Sequence, residues 1–447
     1  MKKFIQTLKN IWSIEELRGK IFFTLVMIII YRLGSFIVLP GIDPIVMEQK
    51  AGETSGSSGI LDLINTFAGG AFNQASIFAL GIMPYISASI FMQLMTVLVP
   101  RFQKMQKEGD SGRKKITQYT RYLTVVVTLL QASAYVRYLE NMARSTPGMI
   151  EPAYGAIFFI STIIVLTAGT LFVMWMGEKI TDKGLGNGTS LIIMVGILAR
   201  LPQSFLQELT AKSTRTGSIL IFIIEIAILI AIILGCILLI QGVRKVPVNY
   251  AKQIVGNRQF GGARQFLPLK VNSSGVMPII FAQAIMFLPT LITLGGEQTL
   301  SRIFTDPKDL IHMMIYAVVV IGFTFLYTAL IFNPKQIADN LKQNNGFIPG
   351  VKPGQPTADY IGQIMDRITL PGAILLAFVG ILPGIAERLG VTQGFSTFFG
   401  GTSLLIMVGV VLDTLQQIET QLLMRQYDGL MKSGRIQGRQ TQSAVQI

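Results

Sequence analysis

Residues 76 to 99 contain no charged side chain, and neither do residues 152 to 177. A helix on a soluble surface shows a polar stripe to water at every turn. An uncharged apolar run of about 20 residues suits a bilayer instead. Runs of this kind recur near 21–39, 76–99, 118–138, 154–176, 189–206, 218–240, 274–294, 311–332, 368–386 and 396–416. The fifth is interrupted by Arg200 and Pro202. The first is too long for a signal-peptide core and lacks a small-residue cleavage site, so it is read as a span. Composition agrees: 14% of residues are charged, against about a quarter in soluble domains. The mean hydropathy is +0.54. The pattern predicts an all-α integral membrane protein with ten transmembrane helices.

Orientation follows from the flanking Lys and Arg. With the N-terminus in the cytoplasm, alternate loops hold Arg101, Lys104, Lys107, Arg113, Lys114, Lys115 and Arg121, then Arg244, Lys245, Lys252, Arg258, Arg264 and Lys270. The stretch from Gln241 to Gly275 has no acidic residue. Roughly 28 of the 38 basic residues fall on that side, a strong positive-inside bias. Both termini are therefore expected in the cytoplasm. The loops at 241–273 and 333–367 are longer than topology requires, and long loops are usually functional. Their charge suits a large anionic partner or anionic lipid.

The expected organisation is a cytoplasmic segment at 1–20, a half at 21–206, a connecting outer loop at 207–217, a second half at 218–424 and a cytoplasmic tail at 425–447. The halves hold five spans each, with no convincing sequence repeat between them. One segment departs from this plan. Ile60 to Phe67 is apolar, too short to span, and followed by Gly69-Gly70. It reads as a re-entrant or interfacial helix, tolerated at depth only inside protein or beside water.

Motifs of chemistry are missing. There is no P-loop, no His-Glu-x-x-His and no Gly-x-Ser-x-Gly. Gly184-Leu-Gly-Asn-Gly188 is Gly-rich but follows no strand. With one cysteine, Cys236, and one histidine, His312, a disulfide, a Cys-rich zinc site and a His-based metal site are not expected. No cofactor, metal site or catalytic residue is predicted. Intramembrane charge, the mark of ion-coupled transport, is scarce, with Arg32, Glu225 and Asp413 as candidates, each near a span end or alone. The spans carry Ser87, Ser89, Gln93, Gln131, Ser133, Asn272 and Gln283 instead. Such residues let helices pack and hydrogen-bond across interfaces.

Several ordered strings are distinctive: Ala75-Ser-Ile-Phe-Ala-Leu-Gly-Ile-Met-Pro-Tyr-Ile-Ser-Ala-Ser-Ile90, Glu108-Gly-Asp-Ser-Gly-Arg-Lys-Lys115, Gln118-Tyr-Thr-Arg-Tyr122, Gly177-Glu-Lys-Ile-Thr-Asp-Lys-Gly-Leu-Gly-Asn-Gly188, Val248-Asn-Tyr-Ala-Lys252, Leu267-Pro-Leu-Lys-Val-Asn272, Asn333-Pro-Lys335, Phe347-Ile-Pro-Gly-Val-Lys-Pro-Gly354 and Phe399-Gly-Gly-Thr-Ser-Leu-Leu405. In this order, from about Ile21 to Lys432, they resemble the SecY family, central subunits of the bacterial Sec protein-conducting channel. The resemblance implies two five-helix halves closed like a clamshell around an hourglass pore, with a short plug helix. It implies passage of unfolded secretory polypeptide across the bacterial inner membrane and lateral release of apolar segments into lipid.

The family's constriction ring maps to Ile82, Ile86, Thr189, Ile193, Met277 and Ile406. Branched apolar side chains seal such a waist by dewetting, so the hydroxyl of Thr189 puts some of that dryness in question. The plug maps to Ile60, Leu61, Leu63, Ile64 and Phe67, with Gly69 and Gly70 as its hinge. The lateral gate lies between the second and third spans and the seventh and eighth, with Ser87, Gln131 and Asn272 as its polar cluster. Docking of ribosomal RNA and of the SecA motor ATPase maps to Arg244, Lys245, Lys252, Arg258, Arg264, Lys342 and Lys352. At Lys352 the family pattern leads us to expect arginine, whose bidentate fork lysine lacks. Implied partners are SecE- and SecG-type small membrane subunits, signal sequences and membrane lipids. Two other readings were weighed: a secondary transporter of a small solute and a membrane-embedded enzyme. Each would need a cluster of ionisable or reactive groups that this chain does not display.

Overall fold

The computed structural model describes residues 14–47, 65–146, 148–150, 155–213, 218–250, 253–255, 258–260, 264–292 and 308–432. Its helices are α1 (Glu15–Ser35), α2 (Met83–Leu98), α3 (Pro100–Lys107), α4 (Asp110–Ser145), α5 (Gly155–Lys183), α6 (Gly188–Ser213), α7 (Ser218–Gln241), α8 (Met277–Ile292), α9 (Leu310–Ile331), α10 (Pro334–Gln343), α11 (Gln355–Arg388), α12 (Gln393–Ser396) and α13 (Gly401–Lys432). Six described helices are long and apolar enough to cross a membrane, or seven if the bent pair formed by α2 and α3 counts as one span. The other expected spans coincide with α1 and α4, which carry more charge, and α8, which is shorter. Outward faces are apolar: Phe22, Leu25, Ile29 and Leu33 on α1, and Leu220, Ile223, Leu234 and Leu238 on α7, are all exposed. Apolar area on this scale is unstable in water and natural in lipid. The chain is a multi-pass membrane protein.

The second span departs from the expected 76–99. Residues 68–82 form turns, and helix begins only at Met83 with Pro84 in its first turn. Gly81, at φ 51°, leaves the helical region just before that start. The uncharged run survives because these turns are buried: Ala71, Phe72, Ala75, Ala79 and Leu80 join a core with Leu139, Met149 and Leu166. Tyr135 donates to the Phe72 carbonyl at 2.6 Å. Irregular backbone at depth is thus covered by protein. In the fifth span, α6 continues past Pro202 to Ser213. Most of the expected loop at 207–217 is therefore helix.

The all-α expectation fails in the two long loops that the charge pattern assigns to the cytoplasm. Strands β1 (Val243–Tyr250), β4 (Arg264–Lys270) and β5 (Gly346–Phe347) form one sheet in the order β4-β1-β5, while β2 (Gln253–Val255) pairs with β3 (Arg258–Phe260). All the ladders are antiparallel. Val246 and Val248 alternate inward and rest with Leu269, Leu341, Ile348, Ile361 and Met365 on a small core. Period-2 burial of β-branched residues is a strand signal, hidden here by the surrounding charge.

In one group of helices α2 packs on α4, α4 on α5 and α5 on α6; in another α8 packs on α9, α9 on α11 and α11 on α13. The two groups join along α6, which packs against α7, α12 and α13. This seam is stitched at both ends. Gly186 N–H donates to Gln417 Oε1 at 2.9 Å. At the other end Glu208 Oε2 accepts from the Thr392 amide at 2.8 Å and hydroxyl at 2.5 Å. Lys212 Nζ lies 2.9 Å from Glu225 Oε1 and 3.5 Å from Glu208 Oε1, and also donates to the Gly390 carbonyl. Glu208 is fully buried. Replacing Lys212 by Met strands two buried carboxylates, which should lower stability by about 3 kcal/mol. A lower melting temperature of the purified protein checks this. Adding Glu208→Gln and Glu225→Gln to that variant should recover part of the loss.

Candidate functional site

The candidate site is built from residues on α2, α6, α8 and α13 and just before α2. Ile82 precedes α2 and Ile86 follows one turn later; Thr189 and Ile193 are a turn apart on α6; Ile406 is on α13 and Met277 opens α8. The structure gathers Ile82, Ile193 and Ile406 into one buried cluster with Phe67, and packs Ile86 against it. Val276, beside Met277, also touches this cluster, while Met277 is only half-buried. Thr189 behaves differently from expectation. Its hydroxyl donates to Asn187 Oδ1 at 2.6 Å, and the same oxygen caps α6 by accepting the amide of Thr189 at 3.1 Å. Its Cγ2 lies 3.1 Å from where a Cβ on Gly177 would stand, and Ile82 Cδ1 lies 3.5 Å from that point. The methyl of Thr189 is thus the part that faces Gly177, while its hydroxyl is bonded to Asn187.

Of the expected plug, Ile60, Leu61, Leu63 and Ile64 lie outside the described residues. Asn65 to Phe67 form a helical turn, and Gly69 and Gly70 follow at φ 66° and 92°. Positive φ is open to glycine at little strain. This segment is held firmly. Arg32 Nη1 donates to the Gly69 carbonyl at 3.2 Å, and Arg200 Nη1 to Thr66 Oγ1 at 3.3 Å. Two arginines that interrupt apolar spans thus have partners in one short stretch. A Cβ on Gly196 would stand 2.8 Å from the Phe67 carbonyl oxygen, so α6 and this stretch touch backbone to backbone.

The predicted gate residues are not joined. Ser87 donates to Met83 of its own helix at 3.1 Å, and Asn272 accepts from Ser274 at 3.3 Å. Among the described residues, no hydrogen bond links Ser87, Gln131 and Asn272 to one another. A different pair bridges α2 and α9: Tyr327 Oη on α9 donates to Gln93 Oε1 on α2 at 2.6 Å. Gln93 was visible in the sequence as one amide among several, and only the pairing distinguishes it.

The basic positions divide similarly. Arg244 and Lys245 are exposed on β1, and Lys342 and Lys352 are exposed beside β5 and at the tip of the second loop. Antiparallel pairing of Asn249 with Phe347 joins the two loops in one sheet. Arg258 and Arg264 open β3 and β4, and Lys252 lies outside the described residues. Two of the distinctive strings also meet. Arg121 Nε and Nη2 bond Glu178 Oε1 and Oε2, each at 2.8 Å, a bidentate pair between α4 and α5.

Several apolar helices packed around a shared buried cluster define a multi-pass membrane protein. One solved structure with this fold, a protein conducting channel, matches with a TM-score of 0.60 at 16% identity over 93% of this chain and 94% of that one. Sec61 from a canine ribosome-channel complex matches with a TM-score of 0.57 at 16% identity, over 93% of this chain and 94% of that one. The SecY family model matches residues 76–415. Protein translocase subunit SecY of Streptomyces galbus is 41% identical over 93% of this chain and 97% of its own length. That of Mycobacterium tuberculosis is 42% identical over 97% of this chain and all of its own. The chain belongs to the SecY family. It is a protein-translocation channel and not an enzyme, and the small-solute transporter reading is set aside.

The contact between Gly196 and Phe67 yields a test. Alanine is otherwise a better helix residue than glycine, so Gly196→Ala should harm only this contact. In a Cys236→Ser background, a Phe67→Cys thiol should react slowly with maleimide, since Phe67 is 3% exposed. Adding Gly196→Ala should speed that reaction several-fold.

Proposed function

We propose that the chain passes unfolded secretory polypeptides through an hourglass pore between two five-helix halves of a ten-span bundle and releases apolar segments sideways into lipid. The observation that carries this reading is the apolar cluster of Ile82, Ile86, Ile193, Ile406 and Phe67 between the halves. Such a cluster excludes water and ions when idle, yet offers no polar group that would hold a passing chain. Met277 and Thr189 complete the ring, Thr189 through its methyl. The segment from Ile60 to Gly70 is the plug, rooted at Thr66 to Gly69 by Arg32 and Arg200. Its displacement requires breaking both contacts and parting Gly69 from Gly196.

The membrane is the bacterial inner membrane, with both termini in the cytoplasm. The sheet-linked loops dock two anionic or charged partners in turn. Ribosomal RNA phosphates suit Arg244, Lys245, Lys252, Arg258, Arg264, Lys342 and Lys352, and the SecA motor uses the same surface. Support comes from fold neighbours: yeast Ssh1 was solved bound to the 80S ribosome, at a TM-score of 0.58. A further neighbour is described as having a plug domain that stabilises the closed state and maintains a membrane seal. SecE- and SecG-type subunits cover part of the exposed apolar surface. Reconstitution with SecA in proteoliposomes tests translocation directly. Absence of ATP-dependent import there would overturn the reading.

Two measurements test its details. Ile82→Gly combined with Ile193→Gly should give ion conductance in planar bilayers without a translocating chain, larger than a plug deletion over residues 60–70. A tight double mutant would place the constriction elsewhere. In a Cys236→Ser background, Arg244→Cys and Lys352→Cys should label only from the cytoplasmic side, and Leu389→Cys, 72% exposed, only from the other. Labelling of either loop from outside would reverse the topology.

A further inference from the structure

The halves are held together very differently at back and front. The back seam carries a buried ion cluster, a bonded threonine and a bonded loop amide. At the front, α2 and α9 are joined by the Tyr327 hydroxyl on the Gln93 amide at 2.6 Å. Both residues lie near the cytoplasmic ends of their spans, one turn or so from where α2 and α9 finish. Gln93 stands seven residues after Ile86, hence on the same face of α2 as that ring residue. The bond is therefore placed on the seam that also reaches the waist.

The surroundings of Tyr327 explain why the bond matters. The side chain is buried, at 5% exposure. Phe281 on α8 stacks on Phe323 at 5.7 Å between centroids, and lies 6.0 Å from the Tyr327 ring. A phenol hydroxyl in such a place needs a polar partner, and Gln93 is the partner it has. A phenol can donate or accept, so either orientation of the amide closes the bond. The bond is neutral on both sides and can be broken and remade without stranding a charge, unlike the Lys212 cluster. When it breaks, the aromatic trio faces the opening with an apolar surface that an entering apolar helix can cover.

We propose that Tyr327 and Gln93 form the latch of the front seam, and that this latch sets how apolar a signal segment must be to open the channel sideways. The inference rests on the lateral-release reading above and replaces the Ser87, Gln131 and Asn272 cluster as the bonded closure. Both are positioning residues: they bias the closed state and do not recognise the substrate chemically.

Tyr327→Phe removes the hydroxyl and keeps the ring; Gln93→Ala removes the other partner. Each should raise export of a reporter with a shortened apolar signal core by about threefold, the population change that one interhelical hydrogen bond in a membrane carries. A reporter with an intact signal should change little, because its insertion already exceeds what the latch opposes. The double variant should match either single one, since both remove the same bond. Equal amounts of each variant in membranes exclude a folding effect. Unchanged export of the shortened reporter in both single variants, or an additive double variant, would overturn the latch. A second arm separates this from failure of the lateral-release reading. Gln93→Cys and Tyr327→Cys, in a Cys236→Ser background, are joined by a short bismaleimide. Cross-linking should block insertion of a membrane protein. Unimpeded insertion would overturn lateral release at this seam and the latch with it. Blocked insertion together with an inert Tyr327→Phe would sink the latch alone.

Discussion

Hydrocarbon offers no partner to a peptide group, so every backbone N–H and C=O at depth must be satisfied by the chain itself. The arrangement of this protein follows from that demand. Most of the buried length is helix. Where it is not, at residues 68–82, the turns are enclosed between α4 and α5, and Tyr135 supplies a bond to Phe72. The same demand explains Arg32 and Arg200. Each would be costly in an apolar span, but each reaches a polar atom of the stretch from Thr66 to Gly69. That stretch in turn gains donors that its own short helical turn cannot provide.

In the proposed reading, strength is distributed along the seam between the halves according to what each edge does. Buried charge is useful where parting is never wanted, because separating Lys212 from Glu208 and Glu225 leaves ions without water. A lone neutral bond suits an edge that opens, since its loss leaves only a hydroxyl and an amide to be rehydrated. On the same proposal the apolar cluster lies between these edges as the waist. Its isoleucines would then yield to a passing chain and close again, because dispersion contacts are individually small.

Much of this was legible beforehand. Apolar length marked a multi-pass membrane protein, and the ordered strings from Ala75 to Leu405 pointed to the SecY family, which the similarity of whole chains then established. Other features were hidden. The strands at 243–250 and 264–270 carry so many charges that their alternating valines do not stand out. The start of α2 was misread because an uncharged run says nothing about whether its backbone is helical or coiled and covered. Ser87, Gln131 and Asn272 were chosen by resemblance, and each of the bonds seen for Ser87 and Asn272 is local.

The sequence by itself determined that the chain lives in a bilayer, and its ordered strings determined the family it resembles. Those properties depend on composition and order along the chain, which partition between water and hydrocarbon residue by residue. Only the tertiary structure decided that Tyr327 meets Gln93, that Lys212 sits between two glutamates, and that Thr189 turns its hydroxyl to Asn187. Each of these depends on a distance of a few ångströms between groups, most of them on different helices. Such distances are set by how the helices pack together, and no local pattern of residues encodes them.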